Sequence, residues 1–205
     1  MTTLNRRTFL AAGAAAGVTA TVPHKVFASV APRQPYINPR IMERALAAVQ
    51  AKRPVLSNTD VIGIADFSKA SRDPRFYIVD LRYNFLTEHL VAHGRGSDPA
   101  HCGRLERFSN EYGSNATSAG AYLTGDYYHG KYGRSMKLKG LERRNNNAEG
   151  RAIVVHSAWY AEPEVISETG KLGRSEGCFA MSYSSLQEVL ARLGPGHLLY
   201  ADKLA

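Results

Sequence analysis

The stretch "GRAIVVHSAWY" (residues 150–160) decides how this chain is read. Ala152 to Val155 is an unbroken apolar run rich in β-branched residues, which reads as a fully buried strand. His156 follows directly, at the end of that strand, where a side chain is held rigidly yet reaches a cleft. The "NNN" at 145–147 and Gly150 mark a tight turn before the run. A buried strand needs neighbours on both sides, and the rest of the sequence supplies them.

Upstream, "VIGIADF" (61–67) and "RFYIVDL" (75–81) read as buried strands. "RYNF" (82–85) is a hairpin turn, continued by "LTEHLVAHG" (86–94). "GAYLTGDYYHG" (120–130) alternates aromatic with small or polar residues, and "SMKLKGL" (135–141) is an amphipathic strand. Downstream, "HLLYAD" (197–202) is one more strand. Two helices are predicted. "PRIMERALAAVQAKR" (39–53) carries Ile41, Ala45, Leu46 and Val49 at helical spacing between Pro39 and Pro54. "SSLQEVLARLG" (184–194) carries Leu186, Val189, Leu190 and Leu193 and stops at Gly194-Pro195. Many short strands, glycine-rich turns and a few short helices describe a mostly β domain, a mixed sheet of sandwich or barrel-like form.

The whole chain has 205 residues, 44% hydrophobic and 21% charged, an ordinary globular balance for one domain with a short extension. Its beginning, "MTTLNRRTFLAAGAAAGVTATVPHKVFASVA", is basic, then Ala/Gly-rich and weakly apolar, then small, as in an export signal. Arg6-Arg7 before Thr8-Phe9-Leu10 resembles a twin-arginine signal, although Asn5 and Ala11 depart from that pattern. An ordinary secretory signal with a charged start is the alternative. Val26-Phe27-Ala28 fits a cut site, so residues 1–28 read as the signal, 29–54 as linker and N-terminal helix, and 55–205 as the main domain. The expected location is the periplasm or cell-wall space, with no membrane span after signal removal. Removing residues 1–28 takes away Arg6, Arg7 and Lys25 and no acid, so the net charge falls from +8 to +5. Such a charge is expected to favour anionic surfaces, whether wall polymer or membrane. Nucleic acid is excluded, since no basic helix or aromatic RNA-binding motif occurs.

The chemistry centres on a second stretch, "GRSEGCFAMS" (173–182), which holds one of only two cysteines. Cys178 lies 22 positions after His156. If the intervening segment folds back, the imidazole can take the thiol proton, and the thiolate attacks carbonyl carbon. Gly177 lets a substrate carbonyl approach, and the N–H groups of Gly177 and Cys178 could form an oxyanion hole. Glu176 raises the thiol pKa, so activation must come from His156 or Arg174. Taken alone, a Cys and a His at this spacing also fit a structural histidine and an incidental cysteine. A Cys102–Cys178 disulfide stays open on composition.

His156-Ser157 with Gly173-Arg174-Ser175-Glu176-Gly177-Cys178 resembles the catalytic motif of the YkuD-like L,D-transpeptidase family, in its exported murein subgroup. The likeness extends to "FYIVDLRYNFLTEHLVAHGRGS" (76–97), "FSNEYGSNATSAGAY" (108–122), "SAGAYLTGDYY" (118–128) and "KYGRSMKLKGLERRNNNAEGRAIVVHSAWY" (131–160), so it covers about residues 60–202. The resemblance implies a cysteine acyltransferase acting on peptidoglycan stem peptides, forming 3–3 cross-links through a thioester on Cys178. It implies that His156 is the base, and that Ser157 orients it through its carbonyl or hydroxyl. Ser175 would support the loop or bind substrate, and Arg174, Gly177 and Tyr122 would complete the oxyanion and substrate positions. No cofactor is implied. Glu176 stands where the broad family has a second His, and Phe179-Ala180 stands where it has a polar pair, which puts substrate anchoring there in question.

Cys102 in "AHCGRL" has His101 beside it, but adjacent side chains on extended chain point to opposite faces. It reads as a surface or partly buried thiol. Zinc is disfavoured because the seven histidines and two cysteines show no tight ligand spacing. Two other functions stay open: an L,D-carboxypeptidase or endopeptidase using the same pair, and a non-catalytic wall-binding module.

Overall fold

The computed structural model describes residues 35–204; the expected export signal and cut site lie outside the described residues. Eight strands form one mixed sheet: β1 (Val61–Asp66), β2 (Phe76–Asp80), β3 (Phe85–His89), β4 (Gly120–Gly130), β5 (Gly133–Gly140), β6 (Val154–Ser157), β7 (Phe179–Met181) and β8 (Leu198–Asp202). Their spatial order is β3-β2-β1-β8-β4-β5-β6-β7. The sheet does not close into a barrel. Two pairs are parallel, β1 with β8 and β6 with β7; the others are antiparallel.

Both faces of the sheet are covered, and strand alternation sorts the residues between them. Ile62, Ile64, Tyr77, Val79, Leu198 and Tyr200 pack with Ile41, Ala45, Ala48 and Val49 of α1 (Pro39–Lys52). The Asn38 side chain caps this helix, accepting the Arg40 N–H at 3.0 Å, and Pro39 fits its first turn. On the other face, Phe76, Tyr122, Met136, Val155 and Phe179 pack with Leu186, Val189 and Leu190 of α3 (Tyr183–Arg192). Ser182 caps α3, its hydroxyl accepting the Ser185 N–H at 3.1 Å. Among the described residues, no helix is long and apolar enough to cross a membrane.

Three details differ from the sequence reading. The strand expected from Ala152 begins at Val154 and runs through His156 and Ser157. Ala152 has φ +54° and closes a turn, with the Ile153 N–H donating to Ala148 O at 2.9 Å. The apolar run is therefore shared between turn and strand. The "NNN" is more than a turn: Asn145 is fully buried, and its amide donates to Ala121 O at 2.8 Å. Finally, α2 (Pro163–Thr169) and β7 were not foreseen. β7 has only three residues, too few for any alternation to register.

Phe179 lies in β7 at 0% exposure, with its ring 5.6 Å from Tyr122 and 6.0 Å from Phe67. Its aromatic character is thus a core feature on the strand that follows the cysteine, and its side chain faces away from solvent. Phe179→Ala is expected to cost about 3–5 kcal/mol, read as a lowered denaturant midpoint.

Candidate active site

The pairing of β6 with β7 brings the two chemical stretches together. His156 sits opposite Ala180 in parallel register. Cys178 immediately precedes β7, beside the Val155–Phe179 pair, one residue along β6 from His156. Both line a cleft of about 310 Å³, with Arg95, Tyr132, Tyr160 and Glu176 among the other walls. Ala92 covers the outer edge of β7, its N–H donating to Ala180 O at 2.7 Å.

The loop before Cys178 is fixed by backbone bonds and by the Ser175 hydroxyl. The Ser175 N–H donates to His93 O at 2.9 Å, and the Arg95 N–H donates to Ser175 O at 2.8 Å. The Ser175 hydroxyl donates to Cys178 O at 2.7 Å and accepts the Gly177 N–H at 3.1 Å. Gly177 has φ +121°, and a Cβ there would lie 2.6 Å from Ile153 Cδ1 and 2.9 Å from Ala116 O. Only glycine fits this position.

His156 is buried, and its Nδ1 meets Ser157 O at 2.9 Å. A carbonyl only accepts, so Nδ1 carries the hydrogen and Nε2 of the neutral ring keeps its lone pair. Burial lowers the His156 pKa, and the bond to Ser157 O opposes that shift. Tyr132 stacks on the ring at 4.4 Å between centroids. The Ser157 hydroxyl turns away, to Tyr132 O at 3.4 Å, so of the two expected means only the carbonyl contacts the imidazole. The Cys178 thiol approaches Ala152 O at 3.5 Å. Burial raises its pKa; the Val154 N–H and Arg151 lower it, and Glu176 raises it further.

The remaining expected residues are placed differently. Tyr122 is fully buried and donates to Ser118 O at 2.7 Å, so it is a core residue behind β7 and does not reach the cleft. Arg174 lines the cleft, but its guanidinium donates to the carbonyls of Asp98 and Pro99. The Gly177 N–H, engaged by Ser175, is not a free oxyanion donor. Cys102 and Cys178 are both free thiols, and Cys102 is exposed.

The chain matches the L,D-transpeptidase catalytic domain family over residues 33–201. It belongs to that family. No curated protein sequence matches the chain. Among solved structures, an L,D-transpeptidase from Mycobacterium smegmatis is 13% identical, with TM-score 0.43, covering 70% of this chain and 58% of that one. An L,D-transpeptidase from Mycobacterium tuberculosis H37Rv is 17% identical, with TM-score 0.40, covering 70% and 57%. One from Xylanimonas cellulosilytica is 15% identical, with TM-score 0.42, covering 77% and 68%. The chain thus spans under two thirds of the first two, and the assignment rests on the family match alone.

This L,D-transpeptidase domain also holds groups that the sequence did not single out. Tyr132 and Tyr160 wall the cleft, and nothing in their local pattern separates them from the nine other tyrosines. Behind the cysteine loop, buried His93 sits 2.7 Å from Arg75 Nη2 and 3.4 Å from Asp98 Oδ2. The Asp98 carboxylate also accepts the N–H groups of Cys102 and Gly103, each at 2.8 Å. Burial, then the charge of Arg75, pushes the His93 pKa down to about 3. The unfolded chain therefore binds a proton at His93 that the fold excludes between about pH 6.5 and pH 3. Stability is full above that window and declines as pH falls into it. The unfolding free energy is expected to drop by about 2 kcal/mol between pH 7.5 and pH 5 from this group. His93→Gln should flatten that slope in urea titrations.

Proposed function

We propose that this protein is an exported L,D-transpeptidase that cross-links peptidoglycan through a thioester on Cys178. The observation that carries the reading is the meeting of Cys178 and His156 in one cleft of an L,D-transpeptidase domain. The stem tetrapeptide enters as acyl donor. The His156 Nε2 lone pair takes the thiol proton, and sulfur attacks the carbonyl of the third residue. The C–N bond to the terminal D-alanine breaks as His156 returns the proton to the leaving amine. An amine of a second stem then attacks the thioester, and the 3–3 cross-link forms as the thiol is restored. With the Gly177 N–H held by Ser175, the Cys178 N–H is the donor of the expected pair left for the oxyanion. The amino-terminal segment, with Arg6-Arg7 and a weakly apolar middle, supports export by the twin-arginine route.

Incubating the purified chain with a disaccharide-tetrapeptide tests this by product mass. Cross-linked dimers with loss of D-alanine are expected. Cys178→Ala should abolish them, and His156→Gln should reduce the rate about 10²- to 10⁴-fold. Tripeptide monomers alone would reassign the protein as a hydrolase; no product, together with no selective iodoacetamide labelling of Cys178, would make it a binding module.

A further inference from the structure

Burying a nucleophilic thiol sets an electrostatic problem, because burial favours the neutral form. The charged groups at the cleft do not solve it. Arg95 is paired with Glu176 at 3.1 Å, both largely exposed. Lys131 stands 5.4 Å above the Tyr132 ring. Arg174 is turned to the carbonyls of Asp98 and Pro99. His156 is buried and Tyr160 is held neutral, its pKa raised by burial. Glu176, the acid next but one to the thiol, acts against ionisation.

Arg151 is different. It immediately precedes Ala152, whose carbonyl faces the thiol. Its guanidinium folds back beneath the cysteine loop, with Nη2 3.3 Å from where a Gly177 Cβ would stand. It donates only to neutral acceptors: Ser109 O at 2.8 Å, Ser118 Oγ at 2.7 Å, Ala116 O at 2.5 Å and Ser114 Oγ at 3.2 Å. Among the described residues it has no carboxylate partner within ion-pair distance. A half-buried guanidinium without a close counter-ion keeps its field, which falls on buried Tyr122 first and then on the Cys178 thiol, ahead of Tyr112 and Glu111. Four acceptors also fix the charge in place, so no reorganisation is needed when the sulfur ionises.

We propose that Arg151 is the uncompensated positive charge held behind Cys178, and that it biases the thiol towards thiolate through the Gly177–Cys178 backbone turn. This rests on Cys178 being the reactive thiol of the proposed function. Arg151 acts on the sulfur through its field, its hydrogen bonds all going to the protein's own acceptors, so it is a positioning charge. The role expected of Arg174 from sequence falls to Arg151.

Alkylation tests this without any peptidoglycan substrate, so its failure is separable from failure of cross-linking. The full chain, with Cys102→Ser, is treated with iodoacetamide from about pH 6 to pH 10 and Cys178 labelling is followed by mass. The S–C bond forms as iodide leaves, so the rate follows the thiolate fraction. Arg151→Gln is expected to slow labelling at neutral pH about three- to tenfold and to move the pH profile to the alkaline side. Arg151→Lys should recover most of the rate. An unchanged profile in Arg151→Gln, or equal slowing in the Gln and Lys variants, would overturn the proposal. If Arg151→Gln fails to fold by circular dichroism, Ser114→Asp is compared with Ser114→Asn. Asp would neutralise Arg151 in place and should slow labelling where Asn does not; equal rates in those two would overturn it.

Discussion

The candidate cleft depends on three residues of backbone pairing. β7 is only Phe179–Met181, yet its parallel register with β6 sets His156 opposite Ala180 and so fixes where Cys178 can lie. The two strands are separated in sequence by a crossover that contains α2, as parallel pairing requires. Such a short strand gains little from its own ladder. It is held by what surrounds it: Phe179 in the aromatic cluster on one face, Ala180 against Ala92 and Ala158 on the other, and the Ala92 N–H on its open edge. Packing of the core and alignment of the proposed nucleophile are therefore one energetic event.

The same burial shapes the protonation states. His156 is pushed towards neutral imidazole and Cys178 towards neutral thiol, both first by desolvation. The thiol contact in this state is to Ala152 O, an acceptor, which suits a protonated sulfur. Burial thus favours the neutral form of both groups, and Arg151 opposes it at the thiol. A neutral imidazole with its Nδ1 hydrogen committed to Ser157 O is already in the tautomer that a base needs.

Much of this was legible in the sequence because it follows from period and punctuation. The runs at 61–67, 75–81 and 197–202 became β1, β2 and β8, and the capped amphipathic stretches became α1 and α3. The pairing of His156 with Cys178 comes from motif resemblance, since spacing alone favours a structural histidine. What stayed hidden was non-local. Nothing in "FAM" announces a strand, because a fully buried three-residue segment has no alternation. Tyr122 occupies a motif position, yet its depth behind β7 depends on the β4–β8 pairing, which no local pattern encodes. Sequence distance singles out Arg174, 4 residues before Cys178, and passes over Arg151, 27 before it. Only the fold shows one turned to Asp98 and the other drawn under the loop.

The departure at Glu176 can be weighed on the same physical ground. Its side chain is 72% exposed and reaches outward to Arg95, so the fold places almost no steric demand on it. The positions on either side are constrained in every direction. Ser175 satisfies both the Cys178 carbonyl and the Gly177 N–H, and Gly177 has no room for a Cβ. Gly94 meets it from the opposite side, since a Cβ there would lie 2.7 Å from Gly177 Cα. Two backbones without side chains thus pack directly against each other beneath the sulfur. Cleft chemistry can be retuned at 176 through charge, whereas the geometry of the sulfur is set at 94, 175 and 177, where substitution moves the backbone itself.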